Sequence, residues 1–382
     1  MLTIGKSYIV RVDGMSRLCA DLTIGNRRTT LWFGVDSAHE DWLALGRADA
    51  FVMALLPTAM RDGHEIVCGD PMSERLHYQL ANGLNPILAF AGTLYQLIKI
   101  TVPLTAERLS NPGAVGTGFS GGVDCLYTIM RHGTDSECPL THIVVFNIGN
   151  PLRGRDILSK VFHRAKLFAA EQNLRAFFLD TNFSDVLPEY LGYVYTFRNL
   201  SCALALQGMF KTYLISSGPN AVGLSFDLNK CDRYDLLTVN CASSESLSFY
   251  LSGSETTRGG KLAALSEWEP SWRWLNPCFM AEGEYCNCGR CKKCTHDMTM
   301  LYALGKLDRY QAVFDIDDYY KHLPARIGYV LAMRDGSESC AQAAQLLEDR
   351  NVPIPKAAYI FEKQFRRAKH NQDIIRNKGD LT

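Results

Sequence analysis

The sequence predicts an α/β protein with a doubly wound parallel sheet, an extra N-terminal α+β domain and a helical C-terminal region that holds a Cys₄ zinc site. Between residues 114 and 216, short apolar segments alternate with segments of helical periodicity. This alternation is typical of parallel βαβ units with right-handed crossovers. Mixed strand and helix patterns occupy residues 1–108, and five cysteines crowd into residues 278–294.

The composition is that of a globular protein with a sizeable core. The chain has 382 residues, of which 47% are hydrophobic and 21% are charged, and its length favours two or three domains. Forty Lys and Arg balance forty Asp and Glu. This balance excludes a generally basic nucleic-acid binder and an acidic disordered protein, although a local basic patch stays open.

Residues 1–108 are predicted to form an accessory α+β domain. Alternating apolar residues predict strands at 8–12, 18–24 and 29–35, and further strands are expected at 65–68 and 98–104. Residues 48–61 have helical periodicity, with Pro57 expected to kink or break the helix, and Ser73 is expected to open another helix. No catalytic constellation is visible here, so we expect a lid, docking or dimerisation domain. Asn111-Pro112-Gly113 is the predicted boundary.

Residues 114–300 are predicted to form the central α/β domain, and residues 301–382 a helical extension. We expect strands at 114–119, 143–146, 176–179 and 212–216, with helices after the first strand and at 156–172 and 199–210. After the cysteine cluster, helices are predicted at 295–307 and 324–333. A basic run at 361–377 is interpreted as a solvated helix face rather than a nucleic-acid contact.

The first residues show no cationic segment followed by an apolar run, so no secretory signal is expected. The longest uncharged window lies between Arg75 and Lys99, and it carries His77, Asn82 and Gln96. That polarity favours a buried helix over a membrane span. We therefore expect a cytoplasmic protein with no membrane partner.

A glycine-rich turn, Ser120-Gly121-Gly122-Val123-Asp124-Cys125, joins the predicted strand 114–119 to a helix; we call it the glycine loop (residues 120–125). Glycines let the backbone approach an anion, and the following helix presents unpaired N–H groups and a positive dipole end. The carboxylate of Asp124 suits such a phosphate site if it holds Mg²⁺. The loop is neither a P-loop nor a dinucleotide fingerprint, whose motifs differ.

Four cysteines near the end of the central domain are predicted to bind zinc. Cys288, Cys291 and Cys294 follow a C-x₂-C-x₂-C spacing, and Cys278 precedes them by nine intervening residues. Four thiolates complete a closed tetrahedral Zn²⁺ site, and such clustering in a reducing compartment points to a metal. Thiolates alone leave an Fe–S cluster as the alternative. Cys286 is ranked fifth as a ligand.

The glycine loop resembles the S-G-G-x-D-S motif of the PP-loop ATP pyrophosphatases. Ser120 to Asp124 match it, and Cys125 replaces the last serine. Together with the late cysteine motif, the chain resembles the 7-cyano-7-deazaguanine synthase-like branch of that superfamily over residues 114–300. The segment 195–199, Tyr-Thr-Phe-Arg-Asn, looks like that family's Pro-x-Arg-Asn stretch. The resemblance implies an adenine nucleotide alpha-hydrolase-like fold for this domain.

The resemblance implies a ligase that uses ATP and Mg²⁺ to adenylate a carboxylate or amide, releasing pyrophosphate, and then forms an amide or nitrile. Asp124, Arg198 and Lys261 are the expected catalytic residues, with Arg258 as a further candidate cation. Zn²⁺ is expected to be structural. The residues expected to hold the nucleotide are the glycine loop and one asparagine: Ser120, Gly121, Gly122, Val123, Asp124, Cys125 and Asn199.

The expected partners are a small-molecule or peptide carboxylate or amide and, in one version of the reaction, an ammonia donor. A homodimer is not excluded as the oligomeric state. Nucleic acid is a disfavoured partner but is not excluded either. Two other functions stay open at this point. One is a tRNA-modifying PP-loop enzyme, and the other is a degenerate nucleotide-binding sensor or scaffold, which the Cys125 substitution would favour.

Overall fold

One large β-sheet organises most of the structure. The computed structural model describes residues 1–133, 136–150, 155–187, 191–278 and 286–379. The chain divides into two units. The sheet unit comprises Met1–Ser120 and Arg131–Glu255, and the helical unit comprises Gly121–Met130 and Thr256–Thr382. These bounds differ from the three predicted segments, whose status as independent domains stays a prediction.

The described strands all belong to the sheet unit. They are β1 (Leu2–Ile4), β2 (Tyr8–Val12), β3 (Met15–Ile24), β4 (Arg27–Asp36), β5 (Ile66–Cys68), β6 (Met72–Ser73), β7 (Ile100–Thr101), β8 (Leu104–Thr105), β9 (Ala114–Gly118), β10 (His142–Phe146), β11 (Arg175–Thr181), β12 (Phe210–Ser216) and β13 (Ser248–Ser252).

Eleven of these strands form one mixed, mostly parallel sheet. Their order is β13-β12-β9-β10-β11-β4-β3-β1-β5-β7, with β2 paired to β3, while β6 and β8 pair separately. The strands from β9 to β13 are parallel to one another. Strand β4 joins β11 in antiparallel register, so residues from the predicted accessory segment extend the same sheet. All five residues of β10 are buried, as expected for a parallel strand covered on both faces.

Two tight hairpins set the register of the antiparallel part. Asp13 and Gly14, with φ of 52° and 75°, connect β2 to β3, where Val12 pairs with Met15. Gly25 has a φ of 59° and opens the two-residue turn between β3 and β4. Positive φ at these central turn positions matches the right-handed strand twist. The hairpins thereby fix which face of β3 and β4 is buried.

Fifteen α-helices are described in the ranges given above. They are α1 (Asp49–Asp62), α2 (Glu74–Gln79), α3 (Asn85–Ala91), α4 (Val123–Arg131), α5 (Arg155–Glu171), α6 (Phe183–Val186), α7 (Leu191–Leu204), α8 (Asp235–Asn240), α9 (Arg258–Leu265), α10 (Pro270–Trp274), α11 (Lys292–Ala303), α12 (Ile316–Lys321), α13 (Leu323–Met333), α14 (Glu338–Asp349) and α15 (Lys356–Gly379).

The core of the sheet unit contains a helix that is buried along nearly its whole length. Twelve consecutive residues of α1, from Asp49 to Met60, are buried, and α1 packs against α7. Pro57 lies inside α1 without ending it, so the predicted break does not occur. Packing on all sides of the helix offsets the hydrogen bond that proline removes.

In the helical unit, α13 packs against α14 and α15, and α11 packs against α9 and α14. A Cβ built on Gly328 of α13 would lie 2.6 Å from both the carbonyl oxygen of Ala358 and the Cβ of Phe361. Only glycine therefore allows α13 and α15 to approach this closely.

The predicted bounds of the helix at 199–210 are wrong at both ends. Helix α7 begins at Leu191 and ends at Leu204, and a turn follows before β12. Gly208 seats that turn against residues 41 and 42, because its N–H donates to the Trp42 carbonyl at 3.1 Å and a Cβ would lie 2.6 Å from the Asp41 carbonyl oxygen. Strand β13, which lies at the sheet edge, was not predicted from the sequence.

None of the helices among the described residues is both long enough and apolar enough to cross a membrane.

His142, at the start of β10, is a buried titratable group in the core of the sheet unit. Its ring contacts the rings of Trp42, Phe177 and Phe210. Burial, reinforced by the nearby charge of Arg175, lowers the pKa of His142 to about 4. An exposed histidine has a pKa of about 6.5. Because the pKa of His142 is lower, its imidazole is neutral at pH 7 and stays neutral at pH values that would protonate an exposed histidine.

We predict that acid destabilises the sheet unit through His142. Between pH of about 6.5 and 4 the unfolded chain binds a proton here that the folded chain does not, so the free energy of unfolding falls. Allowing for partial solvent contact, we expect a loss of roughly 1 to 2 kcal/mol. Denaturant unfolding at pH 7 and pH 4.5 measures it. His142→Phe should show a shallower pH dependence, and parallel curves for the two proteins would contradict the prediction.

Candidate functional site

The glycine loop has a backbone that its sequence explains. It follows β9 and leads into α4, whose first turn contains Val123, Asp124 and Cys125. Gly121 has a φ of 74°, a left-handed conformation that side chains disfavour. Its carbonyl accepts a hydrogen bond from the Asn276 N–H at 2.6 Å. Gly121 to Cys125 belong to the helical unit, whereas Ser120 belongs to the sheet unit.

Asp124 faces two cations from α9. Its Oδ1 lies 2.8 Å from the Lys261 Nζ, and its Oδ2 lies 3.3 Å from the Arg258 Nη1. The Lys261 side chain has 0% exposure, whereas Asp124 keeps 26%. The carboxylate is therefore the solvent-facing member of a largely buried group of charges.

Arg258 extends this network to α11. Its Nε and Nη2 donate to the two carboxylate oxygens of Asp297 at 2.7 and 2.9 Å. The Nδ1 of His296 lies 2.8 Å from Oδ1 of the same carboxylate. Two parallel N–H···O bonds fix both the distance and the plane of a guanidinium.

The network keeps its charges despite burial. Burial opposes the charged form of Arg258, but the carboxylates of Asp297 and Asp124 hold its pKa above the ordinary value. Burial likewise raises the pKa of Asp297, and the charge of Arg258 together with the adjacent His296 ring more than offsets this, holding that pKa below its usual range. Asp124, Arg258, Lys261 and Asp297 thus form an ion-pair network, which we name the α9 network.

The structure brings Asp124 and Lys261 together, and it adds two residues that the sequence did not single out. Asp297 and His296 lie just after the last clustered cysteine, on a segment predicted only to be helical. Arg258 and Asp297 are 39 residues apart in the sequence, so no local sequence pattern indicates their contact. Val123 and Cys125 are buried in α4, so only their backbone groups are suited to a ligand.

Arg198 and Asn199 lie in the sheet unit and have intramolecular partners there. The Arg198 guanidinium is buried, donates to the carbonyls of Ile148 and Leu187, and lies 5.1 Å from the centre of the Phe183 ring. Asn199 donates to the Tyr195 carbonyl one turn earlier in its helix. In this arrangement Arg198 positions the chain after β10, and its phosphate-binding role stays a prediction.

The carboxyl ends of β10 and β11 carry a further polar group that the sequence analysis missed. The Asn147 side chain donates to Asp180 Oδ1 at 2.6 Å, and Oγ1 of Thr181 donates to the Asn147 carbonyl at 2.6 Å. Asp180 is 7% exposed. Carboxyl ends of parallel strands are the usual ligand-binding edge of such sheets, and polar residues directly after an apolar strand are the signal that was available.

Four thiols converge at the start of α11. The Sγ atoms of Cys278, Cys288, Cys291 and Cys294 all lie within 4.8 Å of one another. Cys278 and Cys291 are 3.9 Å apart, and Cys291 and Cys294 are 3.4 Å apart. A tetrahedral ion with Zn–S bonds of about 2.3 Å requires sulfur separations of about 3.8 Å. This four-cysteine cluster could therefore hold a zinc ion.

Two backbone N–H groups donate to sulfur atoms of the four-cysteine cluster. The Cys291 N–H donates to Cys288 Sγ at 3.3 Å, and the Cys288 N–H donates to Cys278 Sγ at 3.4 Å. The hydrogen bond to Cys278, together with burial, raises the pKa of the Cys291 thiol. A divalent cation reverses this preference because it binds the deprotonated sulfur.

Cys286 lies outside this group. Its sulfur contacts the carbonyls of Leu275 and Val313 at 3.8 and 3.9 Å. The neighbouring Asn287 amide donates to the same two carbonyls. The four predicted ligands, rather than Cys286, are the ones that converge.

Fold and site together define a mixed α/β protein with a large, mostly parallel sheet and a four-cysteine cluster in its helical C-terminal region. Comparison with protein-family models, with curated proteins and with solved structures finds no match to this chain.

We predict that the four-cysteine cluster binds one Zn²⁺ per chain. Elemental analysis should find about one equivalent in the wild type and in Cys286→Ser, but little in Cys291→Ser, because three thiolates leave the tetrahedral site open. Cys286→Ser is the matched control, since it removes a thiol from the same segment. Iron with acid-labile sulfide in anaerobically purified protein would contradict the prediction, and so would zinc loss in Cys286→Ser.

Proposed function

We propose that this chain is an ATP-dependent enzyme similar to the PP-loop ATP pyrophosphatases. In this proposal it adenylates a carboxylate or amide and then forms an amide or nitrile, as 7-cyano-7-deazaguanine synthases do. The observation that carries the proposal is the placement of the S-G-G-x-D segment directly after β9, at the start of α4.

The order of the parallel strands supports this placement. Numbered along the chain, the strands from β9 to β13 lie in the order 3-2-1-4-5 across the sheet. This is the order of doubly wound nucleotide-binding sheets, which bind ligands where the order reverses, at the carboxyl end of strand 1. Strand 1 is β9, and its carboxyl end leads into the glycine loop.

The polar groups of the loop suit a polyphosphate. Gly121, whose φ is 74° and which leaves no room for a side chain beside Asn276, shapes the loop, and the N-terminus of α4 offers a positive dipole end to an anion. Lys261 and Arg258 supply positive charge beside Asp124. Asp124 would hold Mg²⁺, which neutralises phosphate charge when bound. In the free protein the two cations neutralise Asp124, so binding would redistribute contacts that already exist.

The proposed reaction has two steps. An oxygen of the substrate attacks the α-phosphorus of ATP, the bond from that phosphorus to the bridging oxygen breaks, and pyrophosphate leaves. From an activated carboxylate, ammonia or an amine attacks the carbon, loses a proton and displaces AMP to give the amide. From an activated amide, the imidate-adenylate loses AMP and the nitrogen-bound proton to give the nitrile. The residues of this chain are needed to hold the phosphates, to stabilise the charge that develops on pyrophosphate, and to exclude water.

We predict that ATP is cleaved between its α- and β-phosphates. With Mg²⁺, ammonia and a panel of carboxylates that includes 7-deazaguanine acids, α-labelled ATP should yield AMP together with pyrophosphate. Chromatography of the labelled products measures this. Formation of ADP and phosphate would contradict the proposal. Nucleotide binding without turnover for any substrate would indicate a sensor instead.

We predict that Asp124→Asn reduces turnover by about two orders of magnitude or more, the usual cost of losing a charge that stabilises a transition state. The variant also removes the carboxylate partner of buried Lys261, so a lower melting temperature is expected and rates are compared well below it. Asp317→Asn, at an exposed position of the same unit, is the matched control and should keep wild-type turnover. Near-normal turnover of Asp124→Asn would refute the catalytic role.

A further inference from the structure

We propose that Asp297 is a positioning residue that joins the four-cysteine cluster to the glycine loop by holding Arg258 against Asp124. The nature of the ligand rests on the proposed function, whereas the contact path does not. Asp297 itself is fully buried, so it acts through Arg258.

The first connection runs along α11. Cys294 and Asp297 are three residues apart on this helix and therefore lie on the same face. Cys294 belongs to the four-cysteine cluster, and both oxygens of Asp297 accept from Arg258. The third guanidinium nitrogen of Arg258 reaches Asp124 at 3.3 Å. An ordered cluster therefore fixes the start of α11, and Asp297 transmits that position to the first turn of α4.

A second connection runs through the segment before Cys278. The Asn276 N–H donates to the Gly121 carbonyl at 2.6 Å, and Cys278 lies two residues further along the chain. A Cβ built on Gly121 would lie 3.2 Å from the Asn276 Cβ, so the loop backbone rests directly on this segment. The four-cysteine cluster thus supports the loop at two points, Gly121 and Asp124.

The geometry at Arg258 distinguishes positioning from simple stabilisation. A guanidinium held by two parallel bonds has one orientation, and that orientation aims its remaining nitrogen at Asp124. His296 contacts the same carboxylate and so restrains Asp297 in turn. Replacing Asp297 by asparagine leaves one acceptor for two N–H groups, and Arg258 can then rotate away from Asp124.

The test compares four proteins loaded with Co²⁺, whose absorption reports on thiolate coordination: wild type, Asp297→Asn, Asp297→Glu and Asp318→Asn. Asp318→Asn breaks a carboxylate–arginine pair with Arg326 in the same unit and serves as the matched control. Two quantities are measured well below the melting temperature. They are the dissociation constant of a fluorescent methylanthraniloyl-ATP and the hydrogen exchange of residues 121–130.

In Asp297→Asn we expect the cobalt spectrum to persist, the exchange of residues 121–130 to rise, and the nucleotide to bind about tenfold more weakly, the usual scale for partners that orient a ligand-binding group. Asp297→Glu should restore part of both effects, and Asp318→Asn should match the wild type. Removing the metal from wild type should raise the same exchange. If Asp297→Asn does not fold, Arg258→Lys tests the same contact, because lysine cannot bridge both carboxylates.

A lower melting temperature in Asp297→Asn with unchanged exchange at residues 121–130 would overturn the inference. Unchanged exchange after metal removal would also overturn it. If the wild type binds no nucleotide, the proposed function fails, and the exchange measurements alone decide whether Asp297 positions the loop.

Discussion

Arg258 makes the contacts on which the polar interior of the helical unit depends. Its side chain is only 15% exposed, and it faces the carboxylates of Asp297 and Asp124. A buried cation is costly unless it is paired and hydrogen-bonded, and removing one partner leaves the other charge uncompensated. Helices α4, α9 and α11 are therefore held in register by directional charge pairing as well as by apolar packing. The start of α11 also carries Cys291 and Cys294, two members of the four-cysteine cluster.

The α9 network contains equal numbers of negative and positive side chains. Two carboxylates, Asp124 and Asp297, face two cations, Arg258 and Lys261. Asp297 is enclosed, whereas Asp124 reaches solvent. Each cation points at a carboxylate of this chain, so the free protein pairs all four charges internally. In the proposed function, phosphates would compete with Asp124 for these already desolvated cations.

Local features of this chain were predictable and distant ones were not. The spacing of Cys288, Cys291 and Cys294 restricts three thiols to a small volume by covalent reach alone, and a glycine turn between strand and helix is also local. The partners of Arg258 lie 39 and 134 residues away, and its segment has the sequence of a polar loop. Arg198 illustrates the same limit, since nothing in its sequence shows that backbone carbonyls occupy its guanidinium. Edge strand β13, Ser-Phe-Tyr-Leu-Ser, buries Phe249 and exposes Tyr250, too weak a pattern to predict a strand.

The helical unit takes residues 121–130 from the middle of the sheet unit's sequence. During synthesis these residues, with Asp124 among them, emerge long before Lys261, which follows 137 residues later. At about 5 to 20 residues per second, the delay is on the order of ten seconds. Until then Val123, Leu126 and Ile129, which are buried in the finished structure, lack the segment that completes their unit. For that time the nascent chain carries these apolar residues without the rest of the unit that buries them.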